Sequence, residues 1–194
     1  MPDASKTSRL LLVGDSMIEY GDWPTLLPGR EVVNLGRSGE SVEELRERAK
    51  NIVRRQGGAD LLLVMIGTNN VAMERFDFTG AYGEILATFR TAWPGAVLVV
   101  NSLLPMDLDY LAPETVARVN DGLRRLAERE GAHFLDAWRS LADRNNQPLP
   151  GVLEDEVHLT ALGYRLWAAC LERFLKDLEG RSSAANSSRR FLAQ

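Results

Sequence analysis

Arg9-Leu10-Leu11-Leu12-Val13-Gly14-Asp15-Ser16-Met17 decides how the rest of the chain is read. The apolar run Leu10 to Val13 has the length of a buried strand and stops at Gly14, so the pattern predicts a strand that delivers Asp15 and Ser16 to the mouth of a sheet. Ser16 is thereby a candidate nucleophile. The remaining sequence must then supply a base, an acid to orient it, and donors for a developing oxyanion.

Working outward, four more strands are expected: Glu31 to Leu35, Asp60 to Ile66, Ala96 to Val100 and His133 to Leu135. Between them lie helical signals. Trp23-Pro24 suggests a helix start, because proline lacks the N–H that a first turn leaves unbonded. Ser41 and Glu44 have capping-box spacing, and an amphipathic stretch follows to about Arg55 before Gly57-Gly58. A helix from about Asp77 carries Tyr82, Ile85, Leu86, Phe89 and Trp93 at helical intervals, and Pro113 opens another with Val116, Val119, Leu123 and Leu126 on one face. Thr160 is placed to cap the last helix, with Leu162, Leu166, Cys170 and Phe174 along it. Strands alternating with helices imply right-handed crossovers, hence an α/β fold with a parallel sheet covered on both faces. Ligands of such sheets bind outside the carboxyl ends of the strands.

A chain of 194 residues, 45% hydrophobic and 26% charged, suits one core. We expect a catalytic domain over residues 1–179 and a flexible polar tail over 180–194, where Ser, Ala, Asn and Arg offer little apolar surface. A net charge of -4, with basic residues interspersed among acids, argues against a nucleic-acid partner. No stretch has the length or apolarity for stable membrane insertion or a signal-peptide core, so a cytoplasmic location is expected. The one cysteine, Cys170, excludes an intrachain disulfide and reads as a small buried hydrophobe. Trp93, Trp138 and Trp167 are read as core, and the oligomeric state is not legible.

Three strands end in small polar clusters: Gly14-Asp15-Ser16, Gly36-Arg37-Ser38-Gly39 and Gly67-Thr68-Asn69-Asn70. A parallel sheet puts all three on one edge. The loop Glu154 to His158 reaches the same edge, and Asp155 stands three residues before His158, a spacing at which a carboxylate in a turn can fix an imidazole tautomer. The second histidine, His133, opens a strand and reads as structural. Ser16, His158 and Asp155 are the candidate triad; the Ser16 N–H, the Gly36 N–H and the Asn69 side chain are the candidate oxyanion donors. Asp15 is expected to brace its own loop.

Gly14-Asp15-Ser16-Met17, Gly36, Gly67-Thr68-Asn69-Asn70 and Asp155-Glu156-Val157-His158-Leu159-Thr160 resemble, in order, the four blocks of the SGNH (GDSL) hydrolases. Met17 stands where the motif has leucine, a swap that keeps volume and apolarity. The resemblance implies a three-layer α/β/α, flavodoxin-like fold with a five-stranded parallel sheet of order 2-1-3-4-5. It implies hydrolysis of acyl esters by the triad and oxyanion hole just named, without cofactor or metal.

The expected activity is that of a serine esterase or acylhydrolase on small acyl or lysolipid-type esters, a carbohydrate O-acetyl esterase being the alternative with the same triad. A flavin- or phosphate-binding module is a reading of a different class, opposed by the negative charge of Asp15 where an anion would lie. A metal-assisted phosphoesterase using Asp15, Asp155 and His158 lacks a second well-placed histidine. Arg37, Asn70, Asn101, Met106 and Trp23 are candidate substrate-pocket residues by their position near strand ends.

Overall fold

The computed structural model describes residues 8–191, with side chains described as far as Arg181. Its sheet comprises β1 (Arg9–Gly14), β2 (Glu31–Gly36), β3 (Leu61–Met65), β4 (Val97–Asn101) and β5 (His133–Leu135). Every ladder is parallel and the spatial order is β2-β1-β3-β4-β5, as expected. Leu11, Leu12 and Val13 of β1 and Leu62 to Met65 of β3 are completely buried. Helices cover both faces of these strands, which is why they read as unbroken apolar runs and not as alternation.

Two short helices, α1 (Ser16–Glu19) and α2 (Trp23–Leu26), join β1 to β2, and α3 (Val42–Gln56) joins β2 to β3. α4 (Thr68–Ala72) and α5 (Thr79–Ala92) precede β4, α6 (Thr115–Arg129) precedes β5, and α7 (Ala161–Phe191) closes the chain. The step from β1 to β2 runs one way across the sheet and the later steps run the other. Right-handed crossovers therefore place α1 and α2 on one face and α3, α5 and α6 on the other. The packing agrees: α3 lies against α5, α5 against α6, and α7 returns to pack on α2. This is the three-layer α/β/α arrangement, with its topological switch between β1 and β3.

Register then levels the strand ends. Gly14 is opposite Gly36 on one side and Met65 on the other, so the clusters after β1, β2 and β3 emerge side by side. Both glycines are required by close approach. A Cβ on Gly14 would lie 1.8 Å from the Met65 carbonyl oxygen, and one on Gly36 would lie 2.2 Å from the Glu19 nitrogen where α1 crosses the end of β2.

The capping box of α3 forms: Ser41 Oγ accepts from the Glu44 N–H at 3.3 Å and Glu44 Oε2 accepts from the Ser41 N–H at 2.8 Å. The backbone of α7 runs helical through Gly180 to Phe191, into the stretch expected as a polar tail. Extending a nucleated helix adds one hydrogen bond per residue fixed, and serine, alanine and arginine oppose it weakly. Residues 192–194 of the expected tail lie outside the described residues.

Candidate active site

The turn after β1 is built by Asp15. It caps α1, its Oδ1 accepting from the Met17 N–H at 3.1 Å, and so fixes Ser16 as the first residue of that helix. Asp15 is completely buried and its Oδ2 has no hydrogen-bond partner among the described residues. Burial pushes its carboxyl up to about 6, against the pull of the hydrogen bond from the Met17 N–H and of the nearby Thr68 dipoles, and the negative Glu40 adds to the rise. The Asp15 expectation therefore holds in its geometry: the residue braces the loop and does not touch His158.

The base arrives from the loop before α7. Asp155 Oδ1 accepts from the N–H groups of Val157 and His158, at 2.8 and 2.6 Å, and Oδ2 meets His158 Nδ1 at 2.8 Å. These contacts, led by the His158 N–H, hold the Asp155 carboxyl down to about 2, so it is an anion at neutral pH. An anionic partner assigns the ring proton to Nδ1 and leaves the Nε2 lone pair toward Ser16. Ser16 Oγ lies 3.2 Å from His158 Nε2. The loop is pinned by the Asp107 N–H donating to the Glu156 carbonyl at 2.8 Å, and Thr160 Oγ1 accepts from the Gly163 N–H at 3.2 Å to start α7.

Asn69 Nδ2 donates to the Glu40 carbonyl at 3.0 Å, and its second N–H has no acceptor among the described residues. The Ser16 N–H, first in α1, has no acceptor among the described residues. Gly36 departs from its expected part: its N–H donates to Asn34 Oδ1 at 2.9 Å, and the residue serves the packing of α1. Gly39, which the sequence reading passed over, has φ 75°, no atom within 4 Å of a would-be Cβ, and an N–H without an acceptor among the described residues. It adjoins Glu40, whose carbonyl Asn69 holds. The signal available in the sequence was a second glycine in the same cluster.

Four of the five expected pocket residues are occupied elsewhere. Trp23 is completely buried, donates Nε1 to the Ile18 carbonyl at 2.8 Å and meets Trp167 edge-on. Asn70 accepts from the Val42 N–H and donates to Glu43, each at 2.9 Å, tying the end of β3 to α3. Asn101 accepts from Trp167 Nε1 at 3.0 Å inside the core. Met106 is nearly buried and faces a different hollow with Leu111 and Val116. Arg37 alone is exposed at this edge, its N–H donating to the Gly14 carbonyl at 2.9 Å. Polar residues at strand ends are needed to satisfy buried backbone groups, and that need accounts for Asn70 and Asn101. His133 is exposed and lies edge-on to Phe174.

Tyr20 was also missed. One helical turn after Ser16, its ring centroid lies 5.5 Å from that of His158 at 40°, and its hydroxyl bonds Ser38 Oγ at 2.8 Å.

The sequence pattern of the GDSL-like Lipase/Acylhydrolase family matches residues 12–166, which include Ser16, Asn69, Asp155 and His158. The chain belongs to that family. This GDSL-like hydrolase is 28% identical over 190 residues to platelet-activating factor acetylhydrolase IB subunit alpha1 of Bos taurus, covering 92% of this chain and 82% of the relative. Its fold matches a GDSL-like lipase from Bacteroides thetaiotaomicron with TM-score 0.76 at 18% identity, over 88% of this chain and 89% of that one. An acetyl xylan esterase from Geobacillus stearothermophilus matches with TM-score 0.68 at 18% identity, over 86% and 93%. The protein is a carboxylic-ester hydrolase of the GDSL type. Among the described residues, no helix is long and apolar enough to cross a membrane.

Proposed function

We propose that this hydrolase is a serine esterase for small acyl esters that works through an acyl-enzyme. The observation that carries the reading is the unbroken chain from Ser16 Oγ to His158 Nε2 at 3.2 Å and from His158 Nδ1 to Asp155 Oδ2 at 2.8 Å. His158 Nε2 takes the Ser16 proton as Oγ bonds to the ester carbonyl carbon, and Asp155 stabilises the imidazolium that results. The carbonyl oxygen, now negative, is met by the Ser16 N–H, the Gly39 N–H and the free N–H of Asn69. Collapse breaks the bond to the alcohol oxygen, which leaves with the proton from Nε2. Water then repeats the sequence on the acyl-enzyme and releases the acid.

A small acyl group is favoured by the name of a relative matched over 92% of this chain, an acetylhydrolase. The test is Ser16→Ala with p-nitrophenyl acetate as substrate. The rate constant kcat should fall by roughly 10^5 to 10^6-fold, as removal of a serine nucleophile does elsewhere, with the far-UV spectrum unchanged. Retention of full activity would remove Ser16 from the mechanism.

A further inference from the structure

A groove of about 580 Å³ lies between α2 and the start of α7, and His158 is part of its lining. Thr25 and Leu26 form one wall and Leu159 and Tyr164 the other, while Ser16, Gly39 and Asn69 are not part of its lining. The volume falls in the range of about 300–1,000 Å³ that small-molecule clefts occupy. We propose that this groove receives the alcohol half of the ester and selects uncharged or cationic alcohols of several carbons.

The inference rests on the triad assignment above. The carbonyl oxygen must lie toward Gly39 and Asn69, whereas the leaving oxygen must lie where His158 Nε2 can return its proton. Whatever is attached to that oxygen therefore extends on the imidazole side, where the groove begins. When the C–O bond breaks and the proton passes from Nε2 to oxygen, the alcohol departs along the groove. Tyr20 joins the groove to the loop carrying Gly39: its ring is tilted against His158 and its hydroxyl is tethered to Ser38, the residue before Gly39.

Charge supplies the selectivity. Asp22 and Glu154 stand on the groove with one guanidinium, Arg165, and none of the three is in an ion pair among the described residues. An anionic alcohol would meet two carboxylates, while a cationic one would meet those carboxylates and the face of Tyr20, 54% exposed.

Thr25→Trp, with Leu26→Trp as a second filling variant, tests the location. With ethyl acetate, hexyl acetate and ethyl hexanoate as substrates, the kcat/KM ratio of hexyl to ethyl acetate should fall roughly tenfold or more. Deacylation, followed as the slow phase after a p-nitrophenyl acetate burst, should keep its rate, because the alcohol has left by then. A selective loss of ethyl hexanoate, or slowed deacylation, would make the groove an acyl subsite and overturn the proposal. Equal changes for all esters, or no change with either variant, would overturn it too. For charge, the Asp22→Asn, Glu154→Gln double variant should lose several-fold on trimethylammonium-ethyl acetate relative to its neutral isostere 3,3-dimethylbutyl acetate; an unaltered ratio removes the charge selection. Failure of the catalytic reading looks different, since hydrolysis would then survive Ser16→Ala whatever the groove does.

Discussion

Two aspartates serve the same 3.2 Å contact between Ser16 and His158 from opposite environments. Asp15, beside the nucleophile, is completely buried with one oxygen unpartnered, and burial pushes its carboxyl up to about 6. Asp155, beside the base, has a side chain 47% exposed and is held down to about 2 by the N–H groups and ring around it. Side-chain chemistry is identical in the two places, so surroundings divide the labour. The exposed carboxylate, gripped by donors, is a permanent anion that can stabilise an imidazolium. The buried one is a clamp on a turn, and its charge is a cost to the fold.

The largest effect should come from breaking the anion. Asp155→Asn keeps size but offers His158 a neutral amide, which favours the wrong tautomer. We expect kcat on p-nitrophenyl acetate to fall roughly 10^3 to 10^4-fold. The urea midpoint at neutral pH should also fall, but modestly, because the amide replaces an anion held by two N–H groups while the side chain's half exposure limits what that anion contributes. A large loss of stability with modest loss of activity would reverse the roles assigned to the two aspartates.

Next is the stability carried by Asp15. Its carboxyl is raised in the folded state, from 3.8 to about 6, so the folded protein binds more protons than the unfolded chain between those values. The contribution is therefore present below about pH 4 and lost as pH rises through about 6, with a span on the order of 3 kcal/mol. Asp155 acts in the other direction, its contribution persisting above about pH 4 and fading as pH falls toward about 2. Urea midpoints of wild type and Asp15→Asn, taken from about pH 4 to about pH 7, isolate the first term. Asparagine preserves the cap, and the wild-type midpoint should drop with rising pH more steeply than the variant's. Parallel curves would show that Asp15 is not desolvated.

This contrast was only partly legible in the sequence. β1, β3 and β4 announced themselves because strands buried on both faces need continuous apolar residues, and α3 because its capping box is a local signal. The triad was readable for a similar reason: Asp155 and His158 meet within one turn, and Ser16 follows directly from a strand end. What the sequence left hidden depends on contacts distant in the chain. That Gly36 spends its N–H on Asn34, leaving Gly39 open, follows from how one side chain folds back along β2. Asn70, Asn101 and Trp23 stand at strand ends like binding residues, yet satisfy buried backbone or pack with α7. α1 and α4, at four and five residues, are too short for any periodicity to reveal.

The smallest expected effect concerns what the buried carboxyl can lean on. Thr68 Oγ1 is buried without a partner of its own and lies close enough to Asp15 to lower its carboxyl, although outside hydrogen-bond geometry. Thr68→Val keeps the shape and the backbone N–H and removes only that hydroxyl. Near pH 4, where Asp15 is protonated, the loss of an unpaired hydroxyl should cost almost nothing. Near pH 7, where Asp15 is ionised, the variant should be less stable by about 1 kcal/mol, because the anion loses a favourable dipole. The effect must therefore grow with pH in the wild-type background and vanish in Asp15→Asn, a double-mutant cycle read by urea midpoints at the two pH values. If the Thr68→Val cost is the same at both pH values, the hydroxyl acts on the fold independently of the Asp15 charge.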